Sequence, residues 1–190
     1  MNLLNVLYND FRTVFRLKDV AMLTGETNFD SLNQKMNYYV RTKKLLNPRK
    51  GIYCKPRYNM EELACRIFSP SYISLEYVLQ KAGVIFQYDS RLTMISYLSR
   101  EVGVENQIIS FRKVKNELLV SLNGIAQKEN TVNIATPERA FLDLLYLNGS
   151  MYFDNLNSLN RGKIELMLPA YNSKILNKRV HKLFENDRPE

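Results

Sequence analysis

The spacing of apolar residues predicts short helices over the first third of the chain. Residues 3–15 carry Leu, Val and Phe at helical intervals, which predicts one amphipathic helix. The run LKDVAMLTG predicts a second helix with Gly25 as its stop signal. Asn28 is a plausible cap for a third helix over about residues 29–45. The apolar face of this third helix is Leu32, Met36 and Tyr39 or Val40.

The third predicted helix and the segment after it carry the polar side chains that matter most. At 100° per residue, one face presents Gln34, Asn37, Tyr38 and Arg41, flanked by Ser31 and Lys35. The run LLNPRKGIYCKP predicts two short strands around a turn at 47–51, with Arg49 and Lys50 at its tip. Helix, helix–turn–helix and basic hairpin in this order predict a winged helix-turn-helix, whose third helix enters the major groove. The alternative is a helical domain whose hairpin binds a protein.

The remaining residues predict a different organisation. Residues 59–68 and the run SYISLEYVLQKAG predict two helices, and ATPERAFLDLLYLNG predicts a third that Thr136 caps. Two more helices are predicted at 162–168 and Lys174–Asn186. Period-two patterns predict strands at 93–98, 107–113, 118–122 and 132–134. Turns are predicted at Val102-Gly103, Lys115-Asn116 and Asn123-Gly124.

The predicted fold class is therefore α+β. An N-terminal winged helix-turn-helix domain, residues 1–60, precedes a mixed domain of antiparallel strands and packed helices, residues 61–190. In the second domain we expect the helices on one side of a mostly antiparallel sheet.

Charge separates the two predicted domains more sharply than composition does. The chain has 190 residues, 45% hydrophobic and 24% charged, with 27 Lys+Arg against 19 Asp+Glu. Residues 1–60 hold 11 basic and 4 acidic residues, whereas residues 61–190 hold 16 and 15. Residues 41–57 contain seven basic residues and no acid. Such a run favours binding to a polyanion, because each phosphate that it neutralises releases a counterion. The partner predicted is double-stranded DNA, and the predicted contacts are Ser31, Gln34, Lys35, Tyr38, Arg41, Lys43, Lys44, Arg49 and Lys50.

Catalytic and metal-binding patterns are missing from the sequence. Two cysteines and one histidine, His181, are too few for a zinc site or a disulfide framework. No acidic residue has a lysine two positions later, as a common nuclease motif requires, and no glycine-rich phosphate loop occurs. Arg139 and Asp143, four residues apart, are interpreted as a helix-surface ion pair. We therefore expect no catalytic residue, no metal, no cofactor and no enzymatic activity.

The sequence also bears on location. The N-terminal residues lack a basic start and a sustained apolar core, and no apolar run reaches 18 residues. We therefore expect a cytoplasmic protein without a membrane partner.

Three segments together resemble one known family. Residues 16–56, RLKDVAMLTGETNFDSLNQKMNYYVRTKKLLNPRKGIYCKP, resemble the N-terminal winged helix of AbiEi-type antitoxins. SYISLEYVLQKAGVI and NIATPERAFLDLLYLNG resemble two further segments of that family, in the same order. The resemblance spans roughly residues 12–185. It departs from the family at Arg16, where a capping Ser or Thr is common, and at Glu76 and Tyr77.

The resemblance implies a transcriptional regulator. It would be the antitoxin of a type IV toxin–antitoxin pair, repressing its own operon by binding inverted repeats in the promoter. It would counter a nucleotidyltransferase toxin without forming a stable complex with it. DNA contact would fall to the third-helix and hairpin residues given above. The alternatives are a protein-interaction module and a stand-alone regulator with no toxin partner.

Overall fold

The computed structural model describes residues 2–128, 131–149 and 151–186, and it has an α+β fold. Its helices are α1 (Leu3–Asn9), α2 (Leu17–Thr24), α3 (Phe29–Arg41), α4 (Met60–Ile67), α5 (Glu76–Lys81), α6 (Asn116–Val120), α7 (Pro137–Asn148), α8 (Arg161–Met167) and α9 (Lys174–Asn186). Its strands are β1 (Val14–Arg16), β2 (Leu46–Arg49), β3 (Ile52–Cys54), β4 (Ser71–Ile73), β5 (Leu92–Ser96), β6 (Arg100–Val104), β7 (Gln107–Lys113), β8 (Ile125–Lys128) and β9 (Val132–Ala135). Leu156–Ser158 and Leu168–Tyr171 form short 3-10 helices.

The N-terminal lobe, residues 2–58, combines α1–α3 with a three-stranded antiparallel sheet in the order β1-β3-β2. Side chains alternate between the two faces of these strands. Phe15 and Tyr53 pack into the core that α1, α2 and α3 form, whereas Val14, Ile52 and Cys54 belong to the core of the remaining chain. This small sheet therefore joins two apolar cores.

The single helix predicted over residues 3–15 is wrong in its second half. Helix α1 ends at Asn9, and the Asp10 carboxylate accepts the Arg12 backbone N–H at 2.8 Å. Val14 and Phe15 lie in β1, paired with β3, and Phe11 is 67% exposed. Val14 and Phe15 point to opposite faces of β1, and their helical spacing from the residues of α1 is coincidental.

Helices α2 and α3 follow the local signals closely. Gly25, at φ 68°, ends α2 in the left-handed conformation, and the Asn28 side chain accepts the Ser31 N–H at 2.9 Å at the start of α3. Leu32 and Met36 are buried, as predicted. Helix α3 ends at Arg41 rather than near residue 45, because Lys43 adopts φ 57° and turns the chain.

The hairpin after α3 is tighter than predicted. Only Lys50 and Gly51 form the turn, with Gly51 at φ 78°. Asn47 lies in β2, and its side-chain amide donates to the carbonyls of Arg49 at 3.0 Å and Ile52 at 2.7 Å. These bonds hold the two strands together across the turn and place Arg49 at the end of β2 rather than at the tip.

The larger sheet is mixed, and three of its five strand pairs are antiparallel, so the predicted mostly antiparallel sheet is confirmed in part. Its order is β6-β7-β5-β4-β9-β8, and the pairs β5–β7 and β4–β9 are parallel. Every residue of β4 and β5 is buried, so both faces of these central strands are covered. Near-continuous burial of this kind is typical of strands with parallel neighbours.

Three local predictions in this part are also wrong. Residues 71–73 form β4 rather than the start of a helix, because they pair with β5 and β9. Residues 116–120 form α6 instead of a strand at 118–122, with Leu118 and Leu119 adjacent and both buried. Gly103 lies inside β6, and the turn falls at residues 105–106. The predicted helices at 162–168 and Lys174–Asn186 are confirmed to within one residue.

Helix α4 connects the two cores through a buried carboxylate. Glu62 is fully buried, and its Oε2 accepts the Thr13 N–H at 2.9 Å and the Thr13 hydroxyl at 2.5 Å. Nearby, the Arg16 Nε donates to the Arg66 carbonyl at 2.8 Å, and Arg66 lies 3.7 Å from the Asp19 carboxylate. These contacts hold β1 and the start of α2 against α4, and so they orient the N-terminal lobe.

Replacing Glu62 by glutamine is expected to change how stability depends on pH. Burial raises the pKa of Glu62, and the Thr13 hydrogen bonds oppose that rise. A folded pKa above the unfolded value means that the contribution of this carboxyl is full below about pH 4.5 and is lost as the pH rises through the folded pKa. The free energy of unfolding of the wild type minus that of Glu62→Gln should therefore decrease between about pH 4.5 and about pH 7.5. Urea unfolding at several pH values measures this difference.

The adjacent carboxyl provides the control. Burial raises the pKa of Glu61, but hydrogen bonds from Lys81 at 2.8 Å and Tyr77 at 2.7 Å outweigh it, and the net pKa is lowered. Its contribution is present above the unfolded pKa and is lost as the pH falls through the folded pKa. The corresponding difference for Glu61→Gln should therefore rise with pH. Equal slopes for the two variants would contradict the assignment.

Candidate nucleic-acid interface

Helix α3 presents the predicted polar face to solvent. Gln34, Lys35, Tyr38 and Arg41 are exposed, and Ser31 is half-buried. The opposite face is fixed by Leu32 and Met36, which pack with α1 and α2. The phase of α3 predicted from the sequence is therefore confirmed, and five of the nine predicted contact residues lie along one helix.

An aromatic and a guanidinium group meet near the C-terminal end of α3. Arg41 Cζ lies 5.8 Å from the centroid of the Tyr38 ring, and Tyr38 is 48% exposed. Such a pair positions the guanidinium while leaving N–H groups free for phosphate or base-edge acceptors. Arg41 and Tyr38 therefore form the most developed polar feature of this face.

Lys35 already has an acidic neighbour. Its Nζ lies 3.2 Å from the Glu26 carboxylate in the turn between α2 and α3. The Asn28 backbone N–H and then Lys35 lower the pKa of Glu26 below its usual value. The charge of Lys35 is therefore partly neutralised, and the pair links the turn to α3.

Two asparagines of α3 have a role that the sequence did not reveal. The Tyr53 hydroxyl donates to the side-chain oxygen of Asn33 at 2.9 Å and lies 3.4 Å from that of Asn37. Tyr53 is on β3, so this contact ties the hairpin to α3. Only the tertiary structure brings these residues together, and Asn37 stays exposed to solvent while its side-chain oxygen lies near the Tyr53 hydroxyl.

The loop after α3 adds two exposed lysines, Lys43 and Lys44. The Tyr8 hydroxyl donates to the Lys44 carbonyl at 2.7 Å, which ties this loop to α1. Lys55 instead turns inward and donates to the Asp10 carbonyl at 2.6 Å, just beyond the C-terminus of α1. Lys43 and Lys44 therefore extend the basic face of α3, whereas Lys55 has a structural contact.

The two basic residues of the hairpin differ in their surroundings. Lys50 is exposed in the turn. Arg49 is half-buried, with its Cζ 5.7 Å from the ring centroid of Phe68, which in turn packs edge-on against Phe111 of the larger sheet. The expectation that both residues project from the tip is wrong for Arg49, because an aromatic ring outside the hairpin attracts its guanidinium.

The exposed cations of this surface are unneutralised. Among the described residues, no acidic oxygen lies within 4.0 Å of the side-chain nitrogens of Arg41, Lys43, Lys44 or Lys50. We call these four residues, together with Gln34, Lys35 and Tyr38, the basic α3 surface. Its polar groups can bind phosphates and base edges, and it lacks a paired acid and base for catalysis.

Arg139 and Asp143 do not form a surface pair as expected. Their side chains are 1% and 0% exposed, and Arg139 Nε donates to Asp143 Oδ1 at 3.1 Å. Asp143 also accepts hydroxyl bonds from Tyr171 at 2.6 Å, Ser74 at 2.8 Å and Tyr72 at 3.1 Å. Burial raises the pKa of Asp143, and Arg139 and these hydroxyls oppose the rise. The ion pair and the hydroxyls around it are buried in the core that the chain after the N-terminal lobe forms.

Further reactive side chains are those that could hold a metal ion and the two thiols. No group of three or more His, Cys, Asp and Glu side chains there could hold a metal ion. Cys54 and Cys65 are buried free thiols, and burial raises the pKa of each to about 12. No helix in the described ranges is long and apolar enough to cross a membrane.

Comparison with known proteins adds no family to this picture. No model of a known protein family matches the chain, and no curated protein matches it. The basic α3 surface is therefore defined by the position, exposure and charge of its own residues.

Proposed function

We propose that the chain is a winged helix-turn-helix protein that binds double-stranded DNA and represses transcription. The observation that carries the proposal is the basic α3 surface. Among the described residues, its exposed cations without acidic partners are Arg41 at the end of α3, Lys43 and Lys44 in the loop that follows, and Lys50 in the hairpin turn. Helix α3 would lie in the major groove, with Gln34 and Arg41 at base edges and Lys43, Lys44 and Lys50 at phosphates. The protein would act by binding, without a catalytic step.

The order of elements supports this assignment. A helix, a strand, two helices and a two-stranded hairpin follow one another, and β1 pairs with β3 to complete the small sheet. A winged helix-turn-helix has this arrangement, with the second of the paired helices as the recognition helix. Residues 1–60 would form this domain, and residues 61–190 would form the regulatory domain.

The more specific role rests on the resemblance to AbiEi-type antitoxins in three ordered segments. We infer that the chain represses its own promoter at inverted repeats and antagonises a nucleotidyltransferase toxin without a stable complex. A protein that binds the promoter of its own operon acts beside the chromosome, so the proposed location is the cytoplasm. The identity of the next open reading frame tests the antitoxin role directly, and a nucleotidyltransferase there is the expected result.

Arg49 favours a second candidate, a protein-interaction module. Its guanidinium lies over Phe68 rather than free in solution, so the hairpin is held against the rest of the protein. A winged domain held in this way can present its turn to a protein partner instead of DNA. The salt dependence of DNA binding by hairpin variants distinguishes the two candidates.

DNA binding should weaken as salt rises, and the hairpin variants should change that dependence. Lys50→Ala is expected to reduce the slope of log affinity against log salt by about 0.9, the value for one phosphate contact. Arg49→Ala with Lys50→Ala is expected to reduce it by up to about twice as much. Fluorescence anisotropy on a duplex from the upstream intergenic region, between 50 and 200 mM salt, measures this slope.

The same assay separates base reading from phosphate contact. Gln34→Ala or Arg41→Ala should cost about 1–3 kcal/mol on the intergenic duplex if the residue reads a base edge, with a smaller loss on random DNA. Lys128→Ala, an exposed lysine on β8, is the control for loss of one charge. The absence of any wild-type binding at 50 mM salt would refute the proposed function.

A further inference from the structure

The nearly neutral charge of residues 61–190 conceals a second basic region. Residues 161–182 contain six Lys and Arg residues and one acid, Glu165. Glu165 lies 3.9 Å from Arg161 and 4.0 Å from His181, so its charge is compensated locally. A cationic region therefore lies on α8 and on α9 as far as Lys182, and an exposed acid, Glu185, follows it at the C-terminal end of α9.

Three lysines of α9 form a row on one side of the helix. Lys174, Lys178 and Lys182 are four residues apart, which places them within 80° of one another around the axis, and all three are exposed. Among the described residues, no acidic oxygen lies within 4.0 Å of their ammonium groups. The row is about 12 Å long at 1.5 Å per residue.

The opposite side of α9 is firmly packed. Leu176, Val180 and Phe184 are buried, and the Phe184 ring lies 6.0 Å from Phe141 of α7. Beside the row, Arg179 donates to the Leu145 carbonyl at 3.1 Å near the C-terminus of α7. The helix is therefore fixed in place, and it presents its lysines on a rigid support.

We propose that the α9 lysine row, Lys174, Lys178 and Lys182, is a second contact with the phosphate backbone of duplex DNA. Duplex DNA carries one negative charge per about 1.7 Å of axis, so a row of this length faces several phosphates. Contacts between ammonium groups and phosphates carry no sequence information, so the row supplies affinity without reading sequence. This proposal rests on the proposed DNA-binding function and assigns part of the affinity to the second domain.

An anionic membrane is the other polyanion with a comparable charge, and the packing of α9 disfavours it. A helix that binds at a membrane surface buries its apolar face among the lipids. The apolar face of α9 that Leu176, Val180 and Phe184 form is already buried, and the exposed Ile175 beside the row is too small an apolar surface to replace it. Charge alone attracts the row to lipid headgroups, whereas DNA offers a denser line of phosphates.

The test replaces the whole row by glutamine, in the variant Lys174→Gln/Lys178→Gln/Lys182→Gln. Glutamine is compatible with helix, and the substituted side chains are exposed, so the fold should be kept. The slope of log affinity against log salt should fall by up to about 2.7, or 0.9 for each phosphate contact. The loss should be equal on the intergenic duplex and on random DNA, because phosphate contacts carry no sequence information.

The matched control removes the same charge from elsewhere on the second domain. Arg100, Lys113 and Lys128 are exposed, and Arg100→Gln/Lys113→Gln/Lys128→Gln gives an identical net charge. Equal slopes for the two triple variants would overturn the proposal while leaving the α3 function intact. Loss of slope in the α9 variant but not in variants of the basic α3 surface would support the row and refute the assignment of the basic α3 surface as the DNA interface.

Two further outcomes are informative. Absence of wild-type binding at 50 mM salt would overturn both proposals. Co-sedimentation with phosphatidylserine vesicles supplies the membrane arm of the experiment. A row variant that loses vesicle binding but keeps the wild-type slope on DNA would overturn the proposal in favour of a lipid surface.

Discussion

Asp143→Ala is expected to lower the free energy of unfolding by about 3–5 kcal/mol, because it leaves the buried Arg139 without its counter-charge. Arg139 would keep its bonds to the Leu118 carbonyl at 2.7 Å and the Asn123 carbonyl at 2.9 Å, but its net charge would stay uncompensated. Three hydroxyl donors would lose their common acceptor as well. Urea unfolding at pH 7 measures the loss.

A double-mutant cycle isolates the pair. Arg139→Ala alone should also be strongly destabilising, and the double variant should cost less than the sum of the two single variants, because it leaves no unpaired charge. Arg161 and Glu165 on α8 are the control, since they have the same spacing of four residues but are 49% and 40% exposed, at 3.9 Å. Arg161→Ala should change stability by no more than about 1 kcal/mol. An equal loss of stability on replacing Arg139 and Arg161 would contradict the conclusion that burial makes the Arg139–Asp143 pair important.

Gly124→Ala is expected to destabilise the chain by about 2–5 kcal/mol. Gly124 has φ 75°, which an L-residue adopts at a cost of about 1–2 kcal/mol. A Cβ atom there would also lie 2.5 Å from the Met167 Sδ and 2.8 Å from the Arg139 Cβ. Arg139 is held by its buried hydrogen bonds and cannot easily move aside, so overpacking adds about 1–3 kcal/mol. Thermal or urea unfolding measures the total.

Gly51 supplies the matched control for this substitution. It has φ 78° in the hairpin turn, and a Cβ atom there would meet nothing within 4 Å. Gly51→Ala should therefore show the cost of backbone strain alone, about 1–2 kcal/mol. If the two alanine variants lose equal stability, the close approach of Gly124 to Arg139 and Met167 has no energetic consequence.

The sequence predicted well those elements whose signals are local. Gly25 ends α2, Asn28 begins α3, and the Thr136 hydroxyl accepts the Arg139 N–H at 3.3 Å where α7 begins. Each capping side chain accepts a backbone N–H three residues later, and the left-handed conformation of Gly25 depends on that residue alone. The phase of α3 was also predictable, because buried Leu32 and Met36 fix which side chains face outward. Most of the basic α3 surface could therefore be named from the sequence.

Strand pairing was not predictable, because its partners are distant in the chain. Residues 71–73 form β4 only because β5 and β9 lie beside them, and the same letters fit a helix. Residues 14 and 15 continue the spacing of α1, yet β3 draws them into a strand. Arg49 leaves the hairpin tip because Phe68, nineteen positions later, offers its ring.

By itself the sequence determined the α+β class, the end of α2 at Gly25, the cap and phase of α3, and the concentration of charge in the first sixty residues. The tertiary structure alone decided that Arg139 and Asp143 are buried, that Asn33 and Asn37 bind Tyr53, and that the lysines of α9 stand on a packed helix. Caps and helical phase act over a few residues, so the chain specifies them locally. Burial and pairing depend on groups tens of residues away, such as Tyr72 and Tyr171 around Asp143, and they exist only once the chain has folded.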